Sequence, residues 1–177
     1  MRIIAGEFRR RLLKSPPGAA TRPTPDRLRE ALFNVLQGRI EGISFADAYA
    51  GTGAVGLEAL SRGAGPVILI ERSRAAMQVI KDNLNSLGAL DRVRLIHGSA
   101  ATYLAAQRAA TVFLDPPYTM PGEYEQAFSQ LEKYPPSLVI AQHATRHELP
   151  ERYPGFRRTR ILRQGDNSLS FYEPAVE

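Results

Sequence analysis

The hydrophobic pattern of the chain changes near Ile43, where short apolar runs begin to alternate with longer amphipathic segments. The apolar runs predict strands near residues 43–47, 66–71, 92–97, 111–115 and 137–142. The amphipathic segments predict helices near residues 53–62, 73–87, 99–108 and 122–132. Strands and helices that alternate at this spacing are typical of a parallel sheet covered by helices on both faces. We therefore predict an α/β domain with a Rossmann-like sheet.

The C-terminal residues have a different pattern. Two β-rich stretches, Arg157–Arg163 and Ser168–Glu173, flank the turn sequence Gln164–Asn167. This arrangement predicts an antiparallel hairpin at one edge of the sheet. Together with the parallel strands, it predicts a mostly parallel, seven-stranded sheet.

The N-terminal residues predict two short extended pieces around a turn at Gly6, then a loop, then a helix. Residues 15–25 contain four prolines and few apolar side chains, so we expect a hinge there. The helix begins at Pro25-Asp26, carries one apolar stripe and ends at Gly38. No repeat or second core is evident, so we divide one compact unit into an arm, hinge and helix (residues 1–39) and an α/β domain (residues 40–177).

Composition narrows the classes of protein that this chain could belong to. Its 177 residues are 44% hydrophobic and 23% charged, as in an ordinary globular domain. No apolar run is long enough for a membrane helix or a secretory signal, so we expect a cytoplasmic protein. There is no cysteine, and the three histidines have no metal-ligand spacing, so we expect no metal.

The positive charge is concentrated at the N-terminus. Residues 1–39 carry nine arginines and lysines against three acids, whereas the rest of the chain carries 14 against 15. A basic segment of this kind predicts an arm that binds a polyanion. A solvated basic tail remains the alternative.

A glycine-rich loop follows the first predicted strand of the α/β domain. Gly51, Gly53 and Gly56 match the G-x-G-x-x-G pattern, which combines a tight turn, close approach to a ligand and close helix–strand packing. Glu71 ends the next strand, where a carboxylate can accept hydrogen bonds from both ribose hydroxyls. Asp47 precedes the loop and would repel a pyrophosphate by about 1 kcal/mol or more. The loop therefore favours S-adenosylmethionine, which carries cationic groups, over a dinucleotide. Dinucleotide binding remains an alternative. Asp47 could instead be a helix cap, and Glu71 a solvated strand end.

A second motif, Asp115-Pro116-Pro117-Tyr118, ends the fourth strand. The two prolines hold the backbone rigidly, so a planar amine could donate to the Asp115 carboxylate and the Pro116 carbonyl. Tyr118 offers a ring face on which a heterocycle can stack. Two such acceptors would localise the lone pair of an exocyclic amine and aim it at an electrophilic methyl group. The alternative is a proline-rich turn in which Asp115 bonds its own backbone.

These motifs resemble the RsmD family of the class I S-adenosylmethionine-dependent methyltransferases, which methylates the N2 amine of a guanine in bacterial small-subunit ribosomal RNA. The resemblance covers nearly the whole chain. The segments that carry it are Arg2–Gly6 with Arg9–Leu12, Thr21–Asn34, Phe45–Gly63, Asp115–Tyr118 and Ser168–Tyr172. The block Thr21–Asn34 is the most specific of them, because other amino-methyltransferases share the later motifs.

The resemblance also implies roles for individual residues. The guanine would be held by Asp115, Pro116, Pro117 and Tyr118. The cofactor would be held by Arg22, Thr24, Asp47, Gly51, Thr52, Gly53, Gly56, Glu71, Ser99 and Ala100. The charge of the N-terminal segment separately predicts that RNA would be bound by Arg9, Arg10, Arg11, Lys14, Arg22 and Arg27. The chain departs from the methyltransferase pattern at His97–Ala100, which has no acid to bond the adenine amine, so backbone groups of Ser99 and Ala100 would substitute for it.

The expected partner is ribosomal RNA, in the small subunit or an assembly intermediate, and the expected protein is a monomer without metal or membrane contact. The target guanine must be unpaired or flipped out to reach Asp115. Three alternatives remain open: a DNA adenine-N6 methyltransferase, a protein glutamine-N5 methyltransferase, and a non-catalytic binder of ribosomal RNA.

Overall fold

A computed structural model describes residues 1–16 and 24–176. In these ranges the strands are β1 Phe45–Asp47, β2 Val67–Glu71, β3 Val93–His97, β4 Thr111–Leu114, β5 Leu138–Ala144, β6 Arg152–Tyr153, β7 Phe156–Gln164 and β8 Asn167–Pro174. The helices are α1 Asp26–Val35, α2 Ala54–Ser61, α3 Arg74–Leu87, α4 Ala100–Tyr103 and α5 Glu123–Leu131, with short 3-10 helices at Leu90–Arg92 and Leu104–Gln107.

All the strands belong to one sheet, in the order β3-β2-β1-β4-β5-β8-β7-β6. The first five strands pair in parallel, and β8, β7 and β6 continue the sheet in antiparallel pairs. The predicted α/β class, the parallel strands and the C-terminal hairpin are confirmed.

The predicted number of seven strands is wrong, because the described residues form eight. The additional strand, β6, has only two residues and pairs with the start of β7. A two-residue strand is too short to show a hydrophobic alternation, so the pattern could not reveal it. The predicted helix at residues 99–108 is also shorter than expected, since α4 passes directly into a 3-10 helix.

The core lies in two layers, one on each face of the sheet. One layer joins α1, α2 and α3 to residues such as Phe45 and Leu69. The other joins α4 and α5 to the opposite face, where the Phe128 ring stacks on that of Tyr153 with centroids 3.9 Å apart. Both β1 and β4 are buried along their whole length, as is typical of parallel strands covered on both faces.

The first 13 residues pack against the α/β domain. Ile3, Phe8 and Leu13 are buried in the same layer as α1 and α2. The predicted extended pieces around Gly6 form a single isolated bridge between Arg2 and Leu12. Gly6 lies so close to α2 that a Cβ atom there would be 1.9 Å from the Ser61 carbonyl oxygen, so this packing requires glycine.

A buried carboxylate, Glu58 on α2, fastens the N-terminal residues to the domain. It accepts hydrogen bonds from the backbone N–H groups of Ile4 and Ala5, at 2.9 and 3.1 Å. The guanidinium groups of Arg29 and Arg62 lie 3.7 and 2.9 Å from it. Arg29 is 0% exposed, so this member of the basic N-terminal segment neutralises an interior acid and contributes nothing to the surface charge.

Within the described ranges, no helix is both long enough and apolar enough to cross a membrane. Nor do the described residues contain a group of three or more His, Cys, Asp or Glu side chains that could hold a metal ion.

Candidate active site

Three carboxylates meet at one edge of the sheet. Asp47 ends β1, Glu71 ends the neighbouring β2, and Asp115 follows the last residue of β4 on the other side. In the register of the sheet, Asp47 lies beside Leu69 and Phe113, so Glu71 and Asp115 each extend two residues beyond it. The strand order reverses between β1 and β4, and at such a point open α/β sheets bind ligands in a crevice outside the carboxyl ends of the strands.

The glycine loop lies in this crevice, between β1 and α2. Gly51 and Gly53 have φ angles of +57° and +82°, which non-glycine residues rarely adopt. Gly56 serves packing instead, because a Cβ atom there would lie 2.1 Å from a methyl group of Leu69 on β2. The loop is therefore built as the motif predicts, with the first two glycines shaping the backbone and the third bringing α2 against the sheet.

Glu71 joins the glycine loop to the end of β2. Its carboxylate accepts hydrogen bonds from the backbone N–H of Gly51 at 2.6 Å and of Ser73 at 2.8 Å. A carboxylate has about four acceptor positions, so about two remain for a ligand. The side chain thus fits the ribose of an adenosyl ligand, whose two hydroxyls are donors.

Asp47 is the most deeply buried of the three acids, with 1% of its surface exposed. Burial raises the pKa of Asp47 to about 8, and the negative charge of Asp115 adds to this effect. A hydrogen bond from the Tyr49 N–H acts in the opposite direction. Among the described residues, no arginine or lysine lies within ion-pair distance of it. A cation placed beside Asp47 would stabilise its ionised form, so the site fits the positively charged end of S-adenosylmethionine.

Asp115 and the residues after it form the opposite wall of the crevice. Asp115 is partly exposed, and burial raises the pKa of its carboxyl to about 7. Pro116 is buried and Pro117 is exposed. The Tyr118 side chain is held by its hydroxyl, which donates to Asn167 Oδ1 on β8 at 2.7 Å, while the residue remains 47% exposed. Tyr118 can therefore present a ring to a flat ligand beside Asp115.

The remaining predicted cofactor residues are distributed around the crevice. Ser99 and Ala100 lie at the start of α4, and the neighbouring Gly98 N–H donates to the Glu71 carbonyl. Thr52 is buried within the glycine loop. Thr24 is buried against β5, where its hydroxyl donates to Gln142 Oε1 at 3.2 Å. Arg22 and most of the predicted hinge lie outside the described residues.

The predicted RNA-binding side chains in the described ranges are Arg9, Arg10, Arg11, Lys14 and Arg27, and all of them are exposed. The backbone of Lys14 is held by Asn83 on α3, which accepts from its N–H at 2.8 Å and donates to its carbonyl at 3.2 Å. The same Asn83 amide donates to the carbonyl of Thr52 at 3.3 Å. Asn83 therefore links the basic N-terminal segment to the glycine loop.

The sequence patterns missed several polar residues that complete the site. Tyr49, inside the glycine loop, donates from its hydroxyl to Glu123 Oε2 at 2.8 Å. Tyr124 donates to the Gln142 carbonyl, and its pKa is raised by burial and by the nearby charge of Asp115. The position of Tyr49 between Asp47 and Gly51 was a usable signal, whereas nothing local marked Tyr124 or Asn167.

The sequence of this chain is similar to those of known and putative ribosomal RNA methyltransferases. The family described as Conserved hypothetical protein 95 matches residues 1–173. The putative rRNA methyltransferase YlbH of Bacillus subtilis is 33% identical over 187 residues, covering 98% of each chain. Ribosomal RNA small subunit methyltransferase D of Escherichia coli K12 is 42% identical over 134 residues, covering 75% of this chain and 67% of that one.

Solved structures show the same fold. The putative methyltransferase YhhF of Escherichia coli matches with a TM-score of 0.85 at 32% identity, over 100% of this chain and 99% of that one. An RNA methyltransferase of Salinibacter ruber in complex with S-adenosyl-L-homocysteine matches with a TM-score of 0.72 at 15% identity, over 88% of this chain and 95% of that one, which shows the shared fold alone. This chain therefore belongs to the Conserved hypothetical protein 95 family, the RsmD family of ribosomal RNA methyltransferases that its motifs resemble.

Proposed function

We propose that this protein transfers a methyl group from S-adenosylmethionine to the N2 amine of a guanine in bacterial small-subunit ribosomal RNA. The observation that carries the proposal is the meeting of Asp47, Glu71 and the Asp115–Tyr118 motif at one crevice. The names of its relatives in Escherichia coli and Bacillus subtilis support ribosomal RNA as the substrate class.

The cofactor would lie over the carboxyl ends of β1 and β2, which are neighbouring strands of the sheet. The unused acceptor positions of Glu71 would take the ribose hydroxyls, and Asp47 would face the cationic end of the molecule. Thr52 and the three glycines would line the methionine portion, with Ser99 and Ala100 beside the adenine and Arg22 and Thr24 completing the enclosure. When bound, the cofactor would supply a sulfonium-activated methyl group. The amine nitrogen would attack the methyl carbon as the C–S bond breaks, so that S-adenosylhomocysteine leaves and the nitrogen loses one proton.

The residues after β4 would prepare the guanine. The Asp115 carboxylate and the Pro116 carbonyl accept the two hydrogens of the N2 amine, which localises its lone pair and directs it toward the methyl group. Tyr118 stacks on the base. A carboxyl with a pKa of about 7 is substantially ionised at neutral pH, so Asp115 can hold the amine and then accept its proton.

One experiment distinguishes the candidate activities. Small ribosomal subunits, free small-subunit ribosomal RNA, DNA and protein are each offered with S-adenosylmethionine labelled in its methyl group, and the modified unit is identified by mass. We expect N2-methylguanosine in the ribosomal RNA. N6-methyladenine in DNA or methylglutamine in protein would reassign the substrate, and no transfer would indicate a non-catalytic binder.

The cellular context follows from the same proposal. A protein that modifies ribosomal RNA would act in the cytoplasm, on the small subunit or an assembly intermediate. One chain supplies Asp47, Glu71 and Asp115 together, which supports a monomer as the active form.

Replacement of Glu71 by glutamine tests the ribose contact. We expect the cofactor dissociation constant to rise by about tenfold, because a charge-assisted hydrogen bond contributes roughly 1.5–3 kcal/mol. Calorimetric titration with S-adenosylhomocysteine measures the change. Glu125→Gln, at an exposed position on α5, is the control. An unchanged affinity would place the ribose elsewhere.

Replacement of Arg9, Arg10 and Arg11 by alanine tests the basic N-terminal segment. We expect weaker binding to ribosomal RNA and a salt dependence lower by roughly one unit of slope per lost phosphate contact. Anisotropy titrations at several salt concentrations provide the slope. Lys133→Ala, which removes an exposed charge just after α5, serves as the control. A slope equal to that of the wild type would move the RNA path away from these arginines.

A further inference from the structure

The C-terminal hairpin carries a second concentration of positive charge. Residues 152–164 contain five arginines and no acid, and four of the arginines are on β7. Acidic residues elsewhere in the α/β domain balance these arginines, so the local excess of positive charge does not appear in the net charge of the domain. This positive charge is unrelated to the N-terminal segment and lies at the other end of the chain.

The topology brings one end of β7 close to the crevice. Both β5 and β7 are antiparallel to β8, so β7 runs parallel to β5 and ends at the same edge of the sheet as Asp115. Arg163 pairs in register with Ser168, the residue after Asn167, and paired strands lie about 5 Å apart. Asn167 is the residue that holds the Tyr118 hydroxyl. The end of β7 is therefore next to the ring on which the target base would stack.

The arginines of β7 differ in what they contact. Arg158 is partly buried, donates to the Leu149 carbonyl and lies 3.6 Å from Glu148, so it serves the structure. Arg160 and Arg163 are exposed, and within the described residues no carboxylate lies within 4.0 Å of either guanidinium. These two side chains are therefore available to an anion from solution.

Arg160 and Arg163 lie on opposite faces of β7. They are three positions apart in a regular stretch of the strand, where Arg160 lies opposite Phe171 and Arg163 lies opposite Ser168. Neighbouring positions of β8 alternate between the faces of the sheet. The short β6 covers only the beginning of β7, at Phe156 and Arg157. Beyond β6, the outer side of β7 is not covered by another strand of the sheet that the described residues form. An RNA backbone that runs along this side of β7 could therefore be contacted by Arg160 from one face of the sheet and by Arg163 from the other.

We propose that Arg160 and Arg163 bind backbone phosphates of the RNA next to the target guanine, forming a second RNA-binding surface beside the one at the N-terminus. The inference rests on the proposed function and extends its substrate site. Guanidinium groups bind phosphate oxygens in bidentate fashion. None of the exposed large hydrophobic side chains of the described residues is on β7, which favours a polyanion over a protein partner with an apolar interface.

The test compares two pairs of alanine substitutions in the full-length protein. The first pair is Arg160→Ala with Arg163→Ala. The matched control is Arg152→Ala with Arg157→Ala, two exposed arginines that pair across β6 and β7 at the end remote from the crevice. Affinity for transcribed small-subunit ribosomal RNA is measured at several salt concentrations, together with affinity for S-adenosylhomocysteine, melting temperature, and KM and kcat for methyl transfer.

We expect the first pair to weaken RNA binding by about tenfold and to lower the salt slope by about two units. KM for the RNA should rise while kcat, cofactor affinity and melting temperature stay near the wild-type values. The control pair should behave as the wild type. A change in RNA affinity no larger than that of the control pair would overturn the proposal.

Two other outcomes remain informative. If binding to free RNA is unchanged but binding to assembled small subunits falls, β7 contacts a ribosomal protein and the proposal is wrong. If the wild type methylates no RNA, the proposed function fails, and the salt slopes still decide whether Arg160 and Arg163 bind phosphate.

Discussion

Asp115→Ala should reduce methyl transfer by at least about a hundredfold, which is the range measured when one preorganised electrostatic contact is removed from an active site. Alanine leaves the amine with one acceptor, the Pro116 carbonyl, so its lone pair is no longer held toward the methyl group. Glu71 and the glycine loop, which we propose to hold the cofactor, keep their hydrogen bonds in this variant. A tritiated-methyl assay on small subunits or ribosomal RNA gives the rate, and calorimetry gives the cofactor affinity.

Asp115→Asn is the informative companion of the alanine variant. Asparagine keeps an acceptor oxygen at the same place but carries no charge and cannot accept the proton, so its rate should fall between those of the wild type and the alanine variant. The wild-type rate should also rise with pH through about 7, as the carboxyl ionises. Transfer by the alanine variant near the wild-type rate would remove Asp115 from the mechanism.

Asp47→Asn should have two opposite effects at pH 8: weaker cofactor binding by about a hundredfold or more and a more stable free protein. The loss of affinity follows because the neutral amide does not attract a cation, and a partly dry site strengthens such an attraction well beyond its value in water. Asparagine retains an oxygen that can accept the hydrogen bond from the Tyr49 N–H, so the loop geometry should survive. Calorimetry with S-adenosylmethionine measures the affinity.

The stability change follows from the sign of the pKa shift. The pKa of Asp47 rises from 3.8 to about 8 on folding, so the native state holds the proton more tightly than the unfolded chain does. The contribution of this group to the free energy of unfolding is complete below about pH 4 and is lost progressively as the pH rises to about 8, a difference on the order of a few kcal/mol. The melting temperature of the asparagine variant should therefore exceed that of the wild type at pH 8 and match it at pH 4.

Cofactor binding should also release a proton from Asp47 near pH 7, because a bound cation stabilises the ionised carboxylate. Titrations in buffers of different ionisation enthalpy count the protons released. Subtracting the count for the asparagine variant removes any proton that comes from the ligand. Equal counts for the two proteins, with equal melting temperatures at pH 8, would contradict the role of Asp47.

Elements whose signals are local can be predicted from the sequence. The strands that carry Asp47, Glu71 and Asp115 are short, strongly apolar runs, and Gly51 and Gly53 mark backbone conformations that other residues avoid. The acids at the strand ends could be placed together from the sequence, because parallel strands bring their carboxyl ends to one edge. These residues of the candidate site are therefore predictable from the sequence.

Properties that depend on distant partners become visible only in the folded chain. Charge counting assigned Arg29 to the basic N-terminal segment, yet its neighbour Glu58 makes it an interior cation. Asn167 holds the Tyr118 ring across 49 residues of sequence, and the antiparallel pairing of β8 brings the arginines of β7 to the same place. The raised pKa of Asp47 likewise requires the burial and the neighbouring charge that the folded chain supplies. Burial, pKa and side-chain pairing are set by which segments become neighbours in space, and the local pattern of a single segment does not contain that information.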